Sequence, residues 1–390
     1  MERLWNSNYC KVWTANFMIF FSFMLVTPLL PLYLSENFGA DKDTIGLVLS
    51  GYTLTALLMR PFSGYLVDSF PRRVVLLTAY FLFFLMFAGY LVATTLTLFA
   101  IVRTLHGGPM GAVTVANSTC AIDVLPSSRR AEGIGYYGLS NNLATSMAPT
   151  VGLFIYQSYA NYNFLFLVAL LVALVGLSVN ATVRFPEKEI IPNKSPLSFD
   201  RFFLTRGWSQ GLCMVCIAFS YGVVSTYIAI YSKEELGITT GSGLWFAVLC
   251  VGLMTSRLVG ARTLRRGRIV ENASHGLLIS VFGYLLFATV HNTWGYYGAA
   301  LIVGLGNGHL WPAMQTMFVN LAPNNQRGTA NSTLLTSWDV GIGLGVVLGG
   351  FIAEHLGYTS AFLAAWLVNV AGVAFFFLYA RAHFIKNKLR

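Results

Sequence analysis

Runs of about 20 predominantly apolar residues, the length a helix needs to cross a bilayer, recur down the whole of this chain. Broken by Gly, Pro or charge, they predict helices near 12–34, 44–67, 74–93, 96–124, 131–156, 162–182, 209–232, 242–264, 270–290, 293–321, 326–354 and 358–383. No soluble core has room for that many such runs. With 56% of residues hydrophobic and only 10% charged, against roughly 25% charged in an ordinary soluble protein, most of the chain is solvated by lipid. The first run, Val12 to Leu34, is too long and too polar at its flanks for a cleaved signal and lacks a small-residue cleavage site. It reads as the first helix of the mature protein.

The net charge of +10 would suggest nucleic acid in a soluble protein, but membrane topology absorbs it. With both termini cytoplasmic, that side collects Arg3, Lys11, Arg72, Arg73, Arg129, Arg130, the basic residues of 184–208, Arg262, Arg265, Arg266, Arg268, Arg327 and the C-terminal Arg381, Lys386, Lys388 and Arg390. The other side receives only Lys42 and Lys233. Such an excess marks the cytoplasmic face, favours an even number of helices and leaves no basic patch for nucleic acid. The bilayer is the expected partner, and the short loops point to a multi-pass protein of the inner (plasma) membrane, acting as a monomer. Cys213 and Cys216 form a CxxC, but inside an apolar helix and without a second ligand pair, so no metal or other cofactor is expected.

Only the stretch 184–208, rich in Pro and charge, reads as a polar linker. It divides the chain into an N-terminal six-helix bundle (1–183) and a C-terminal one (209–390). The halves echo each other. Arg60-Pro-Phe-Ser-Gly64 runs off helix 2 into Pro71-Arg72-Arg73, and Arg257-Leu-Val-Gly260 runs off helix 8 into Arg265-Arg266-Gly267-Arg268. The spacing from Gly107 to Arg130 equals that from Gly304 to Arg327. A duplicated six-helix unit, as in many transporters, is the simplest reading.

Gly64-Tyr-Leu-Val-Asp68-Ser-Phe-Pro71-Arg72-Arg73 resembles the signature loop of the major facilitator superfamily, which has a glycine, an aspartate four later, then a glycine and two basic residues. Pro71 stands where the second glycine is usual, so the turn is made differently and is stiffer. Arg103-Thr-Leu-His106-Gly107 is similar to the family's helix 4 motif, with histidine where glutamine is commoner. Gly138 and Ala148-Pro149-Thr-Val-Gly152 in helix 5 resemble the Gly-Pro motif of the family's antiporters, with Ala148 replacing a glycine. The resemblance spans the chain. It implies an all-α major facilitator fold of twelve transmembrane helices in two pseudo-symmetric bundles, and it is nearest the drug and metabolite efflux branches.

An ionisable group at the bilayer centre costs roughly 2.5–3.5 kcal/mol on insertion scales, so each one demands an explanation. Asp339, in Thr336-Ser-Trp-Asp-Val-Gly341, is the one acidic residue deep in an apolar run. It is the candidate proton carrier; the alternatives are a helix cap or a permanent ion pair. Arg103 is a candidate for holding a carboxylate, a substrate anion or the proton carrier's negative form, since guanidinium stays charged when desolvated; otherwise it makes a fixed ion pair or caps a carbonyl. His106, one turn on and on the same face, is a third candidate for coupling, or a neutral hydrogen-bonded side chain. By the family resemblance Gly64, Asp68, Arg72, Arg73, Asp123 and Arg130 form a charge latch that closes the cytoplasmic side, against a reading as static surface pairs. Arg60 and Arg257 read as snorkelling to the interface. Polar and aromatic residues within apolar helices are the candidates for the substrate cavity: Asn16, Asn141, Asn142, Tyr221, Tyr227, Asn307, His309, Trp311 and Gln315.

The leading function is therefore proton-coupled efflux of a small organic compound, with protons and that compound as its ligands. The alternative is proton-coupled uptake of a sugar, peptide or anionic metabolite on the same fold. A channel or a non-transporting sensor is more remote. An enzyme is disfavoured because the six histidines are scattered and form no ligand array. A nucleotide-driven pump is disfavoured because the sequence has no G-x-x-x-x-G-K-Ser/Thr phosphate loop.

Overall fold

The computed structural model describes residues 3–185, 199–238 and 243–389 and is all α, with no strand among the described residues. Ten helices precede the C-terminal pair: α1 (Ser7–Phe38), α2 (Lys42–Ser69), α3 (Arg72–Val92), α4 (Leu96–Val124), α5 (Arg130–Tyr159), α6 (Tyr162–Ala181), α7 (Trp208–Glu234), α8 (Gly243–Arg265), α9 (Ile269–Thr289) and α10 (Thr293–Leu321). α11 (327–356) and α12 (358–387) follow in one helical run broken only at Gly357, whose φ of 82° and ψ of 164° belong to glycine. The expected twelve helices are all present. Of the expected linker, residues 186–198 lie outside the described residues, and 199–207 forms two short 3₁₀ turns.

Local chemistry sets the ends. Asn6, Asp41, Thr95, Asn161 and Asn292 each accept a bond from the backbone amide three residues on, capping α1, α2, α4, α6 and α10. Within α1, Pro28 and Pro31 remove two donors, and the helix tightens to a 3₁₀ turn at Thr27–Leu29.

Eight segments are long and apolar enough to cross a membrane on hydropathy alone, the last being the Asn324–Asn387 run that holds α11 and α12. α4, α5 and α10 fall outside that set although they are 29, 30 and 29 residues long, about 44 Å at 1.5 Å per residue. Their sequences explain it. α4 is buried without a break over 110–122 and α10 over 312–319, and helices screened from lipid need no uniformly apolar surface.

Two compact units emerge, the first comprising Met1–Arg129, Tyr137–Phe203 and Asn325–Ser332, the second Arg130–Tyr136, Leu204–Asn324 and Thr333–Arg390. Each holds the same aromatic cluster. In the first, Tyr33 packs on Phe99, Tyr162 and Phe166 at 5.0–5.2 Å, and Tyr90 on Phe99 and Phe166 at 5.1 and 5.5 Å. In the second, Tyr231 packs on Phe287, Tyr358 and Phe362, and Phe287 on Tyr296 and Phe362. An acid sits beside each: Glu36 accepts from Tyr156 and Tyr162, and Glu234 from Tyr358.

The helix crossings repeat too. A Cβ on Gly107 of α4 would meet the Tyr52 carbonyl of α2, and one on Gly304 of α10 would meet the Leu249 carbonyl of α8. Bare backbones pack directly here, as small residues allow within membranes. Gly304→Val is expected to cost at least about 3 kcal/mol, beyond ordinary overpacking because the obstacle is backbone. Loss of the monodisperse peak on size exclusion in detergent is the measurement; an unchanged peak and melting point would contradict the crossing.

Candidate functional site

At the end of α2 the chain turns through Pro71, which caps α3 with φ at −55° and whose carbonyl receives the amides of Val74 and Val75. Four of the residues expected in the charge latch meet there. Asp68 Oδ1 accepts from the Gly328 amide at 2.8 Å, and Oδ2 from the Thr329 amide at 2.7 Å and its hydroxyl at 2.9 Å. A carboxylate thus closes the first turn of α11, where unpaired amides and the helix dipole favour negative charge. Arg72 lies 3.5 Å from Asp68 and pairs with Asp123, which also accepts from Arg327 at 2.7 Å. The charges alternate along this chain, and its side chains are only 8–12% exposed. Gly64 lies beneath Ser332, whose hydroxyl donates to the Arg60 carbonyl at 2.6 Å.

One expected member turns away. Arg73 turns to the end of α6, donating to the Ala181 carbonyl at 2.8 Å, because its position on α3 is one residue past the face that carries Arg72. Arg130 opens α5 and groups with the second unit. Arg257 does not snorkel: it is 5% exposed and donates to the Gly135 carbonyl at 3.1 Å.

Inside the first unit, Arg103 is 3% exposed and makes no ion pair among the described residues. Its guanidinium lies 4.3 Å from the Tyr52 ring centroid and 5.3 Å from that of Phe23, so aromatic faces replace a counter-ion. Nη1 donates to the Tyr90 hydroxyl at 3.3 Å, and that hydroxyl lies 2.8 Å from His106 Nδ1. Tyr90 thus bridges Arg103 and His106. His106 is fully enclosed, with Phe83 and Phe87 at 4.9 and 5.0 Å.

The second unit reveals what is special in this arrangement. In the register set by Gly107 and Gly304, the positions of Tyr90, Arg103 and His106 are Phe287, Ala300 and Val303. Phe287, Ala300 and Val303 are buried in the second unit's apolar core. The three polar groups that touch one another in one unit are all apolar in the other, so the fold does not require them.

The second unit has its own cluster. Trp338 packs against Trp311 at 5.0 Å and Tyr221 at 5.5 Å, joining α11, α10 and α7. Gly341 brings α11 against α7, where an added Cβ would meet the Val215 carbonyl at 2.5 Å. Asp339, half-buried, follows Trp338 in sequence and precedes that contact by two residues. Asn307, Trp311 and Gln315 follow at four-residue steps and form one stripe of α10. His309 falls off the stripe and is tied to α9, its Nδ1 3.0 Å from Asn272 Oδ1 and its carbonyl accepting from Asn272 at 2.6 Å.

Others of the expected cavity residues are also engaged within their unit. Asn16 is 2% exposed; it accepts from Tyr137 at 2.7 Å and Asn117 at 3.4 Å and donates to Ser140 at 2.8 Å. Asn180 extends this network by donating to Asn117 at 2.9 Å, so four helices are bound together by it. A buried, mutually satisfied set of this kind holds a core in register. Tyr227 donates to the Val346 carbonyl at 2.6 Å. Asn141 and Asn142 remain half-buried on α5, where Thr145 donates to Asn141 at 3.1 Å. In the antiporter-like motif, Gly138 is half-buried, Pro149 lies inside α5, and Gly152 lies against the Leu25 carbonyl of α1.

Trp338, Tyr90 and the Arg327-Gly328-Thr329 turn were not among the residues expected from sequence. The equal spacing of Arg130 and Arg327 from their helix 4 and helix 10 glycines was the signal for the last.

The sequence model of the Major Facilitator Superfamily matches residues 12–273 and 273–389. The staphylopine export protein of Staphylococcus aureus is 22% identical over 392 residues, covering 95% of each chain. An uncharacterized MFS-type transporter of Escherichia coli, YhhS, is 24% identical over 366 residues, covering 90% of this chain and 87% of its own. Among solved structures, the human organic anion transporter MFSD10 superposes with a TM-score of 0.81 at 16% identity, covering 95% of this chain and 98% of its own. FucP in the outward conformation gives 0.81 at 17% identity, covering 97% and 99%. At those identities the likeness is one of fold.

Proposed function

Because this chain belongs to the major facilitator superfamily, we propose that it is a proton-coupled exporter of a small organic compound, working by alternating access in the inner membrane with both termini cytoplasmic. The observation that carries the direction is the likeness, over 95% of both chains, to a protein named for export. The Gly-Pro pattern of α5 supports it. Asp339 is the proton carrier. In the second unit Tyr221, Asn307, Trp311 and Gln315 are the residues for contact with the compound, and in the first unit Asn141 and Asn142. Asp68, Arg72, Asp123 and Arg327 are the latch, and their contacts break in each cycle.

Inverted vesicles loaded with acid provide the test. Addition of a transported compound should release protons from the interior, reported by a pH-sensitive dye, across a panel of cationic drugs, neutral sugars and organic acids. Proton movement in the same direction as the compound would replace export with symport.

Arg103, with Tyr90 and His106, is the coupling element of the first unit. Tyr90→Phe/Arg103→Met/His106→Val replaces the whole set by apolar residues of similar volume, as the second unit is apolar there, so no buried charge or polar group is left unpaired. Export per folded molecule should drop several-fold with the melting temperature within a few degrees of wild type. Unchanged export would make the set structural.

A further inference from the structure

The end of the first unit where α1 and α3 begin and α6 finishes holds a recess of about 560 Å³ that the transport cycle above does not use. Lys11, Arg73 and Arg184 line it, and among the described residues no carboxylate does. Lys11 Nζ donates to the Thr182 carbonyl at 3.1 Å, and Arg73 Nη2 to that of Ala181 at 2.8 Å. These bonds cap α6 and use one donor of each side chain, leaving Lys11 two and Arg73 four. Asn8 accepts from the Arg184 amide at 3.1 Å and so pins the chain leaving α6 across the start of α1. Ser7 and Asn8 also line the recess, and first-turn amides have no acceptor within their own helix. Three cations gathered beside a helix start in one recess make an anion site.

The neighbourhood says how the anion is presented. Trp5, half exposed, packs on Trp13 at 6.5 Å; Trp13 stacks on Phe17 at 6.3 Å and Phe17 on Phe21 at 5.4 Å. Tryptophan collects at the headgroup level of a bilayer, and the recess lies where α1 and α3 begin and α6 ends, the level at which helices that cross a bilayer meet its headgroups. We propose that this recess binds a phosphate-bearing anion, supplied as the headgroup of an anionic phospholipid. The inference needs only that the chain spans a membrane and does not depend on the direction of transport.

The full chain, purified in neutral detergent, is mixed with phosphatidylglycerol, phosphatidylcholine or inorganic phosphate. Lipid retention by native mass spectrometry and the melting temperature are the readouts. Wild type should retain phosphatidylglycerol in preference to phosphatidylcholine. Each cation removed should weaken retention about fivefold, so Arg184→Gln loses about fivefold and Lys11→Gln/Arg73→Gln/Arg184→Gln about a hundredfold. Arg184→Gln decides the matter if the triple variant fails to fold, because its recorded bond is through the backbone. Arg381→Gln is the distant control. Equal retention of the two lipids, or no difference between Arg184→Gln and wild type, overturns the site. Stabilisation by inorganic phosphate as large as that by phosphatidylglycerol, lost together in Arg184→Gln, overturns the lipid as source and assigns the recess to a free phosphate.

Discussion

Asp339→Asn should abolish compound-driven proton release from acid-loaded inverted vesicles while the protein stays folded. Asparagine keeps the shape of aspartate and loses the proton. Loss of a positioned proton-transfer group lowers such a flux by at least about 100-fold, which here means background. Exchange of labelled for unlabelled compound, which moves no net proton, should persist in the variant. Equal proton release from both proteins would take Asp339 out of the mechanism and turn attention to Arg103.

Asp68→Ala should lower export by at least about tenfold. The carboxylate satisfies two amides and a hydroxyl at the start of α11 and shares Arg72 with Asp123. Removing one member of a buried ion-pair network typically costs 3–5 kcal/mol, because the partners stay buried and unpaired. If the network stabilises one of two states, that energy moves their ratio by a factor of roughly 100 to 4,000, at 1.4 kcal/mol per tenfold. Asp68→Asn, which keeps an acceptor without the charge, should fall between wild type and alanine. A pair that was only static and at the surface would contribute under about 1 kcal/mol, and less than a twofold change in export for Asp68→Ala would demonstrate that.

Sequence period and punctuation made the helices legible. α4 and α10 begin and end where the apolar runs place them, since Thr95 and Asn292 are readable caps and Pro or polar turns close both ends. The Arg103 motif and the Asp68 loop were legible because charges stand out against an apolar background. Which polar groups are already engaged was not. Asn16 and Trp311 look alike in sequence, single polar or aromatic residues in apolar helices, yet Asn16 is enclosed by partners from α4 and α5. Those partners lie more than 100 residues away, and periodicity carries no information about them. His309 could have been set apart from Asn307, Trp311 and Gln315 by helical phase alone. Tyr90 could not: its role appears only when it is compared with Phe287 in the second unit.

Gly357 has a mechanical consequence. Because one non-helical residue joins α11 to α12, there is no loop to take up slack. A slide of α11 along its axis must be handed on to α12 or turned into rotation at that glycine. The helix that carries Asp339 therefore drives a second one directly. Lengthening the joint by a few flexible residues would uncouple the two while leaving every side chain in place.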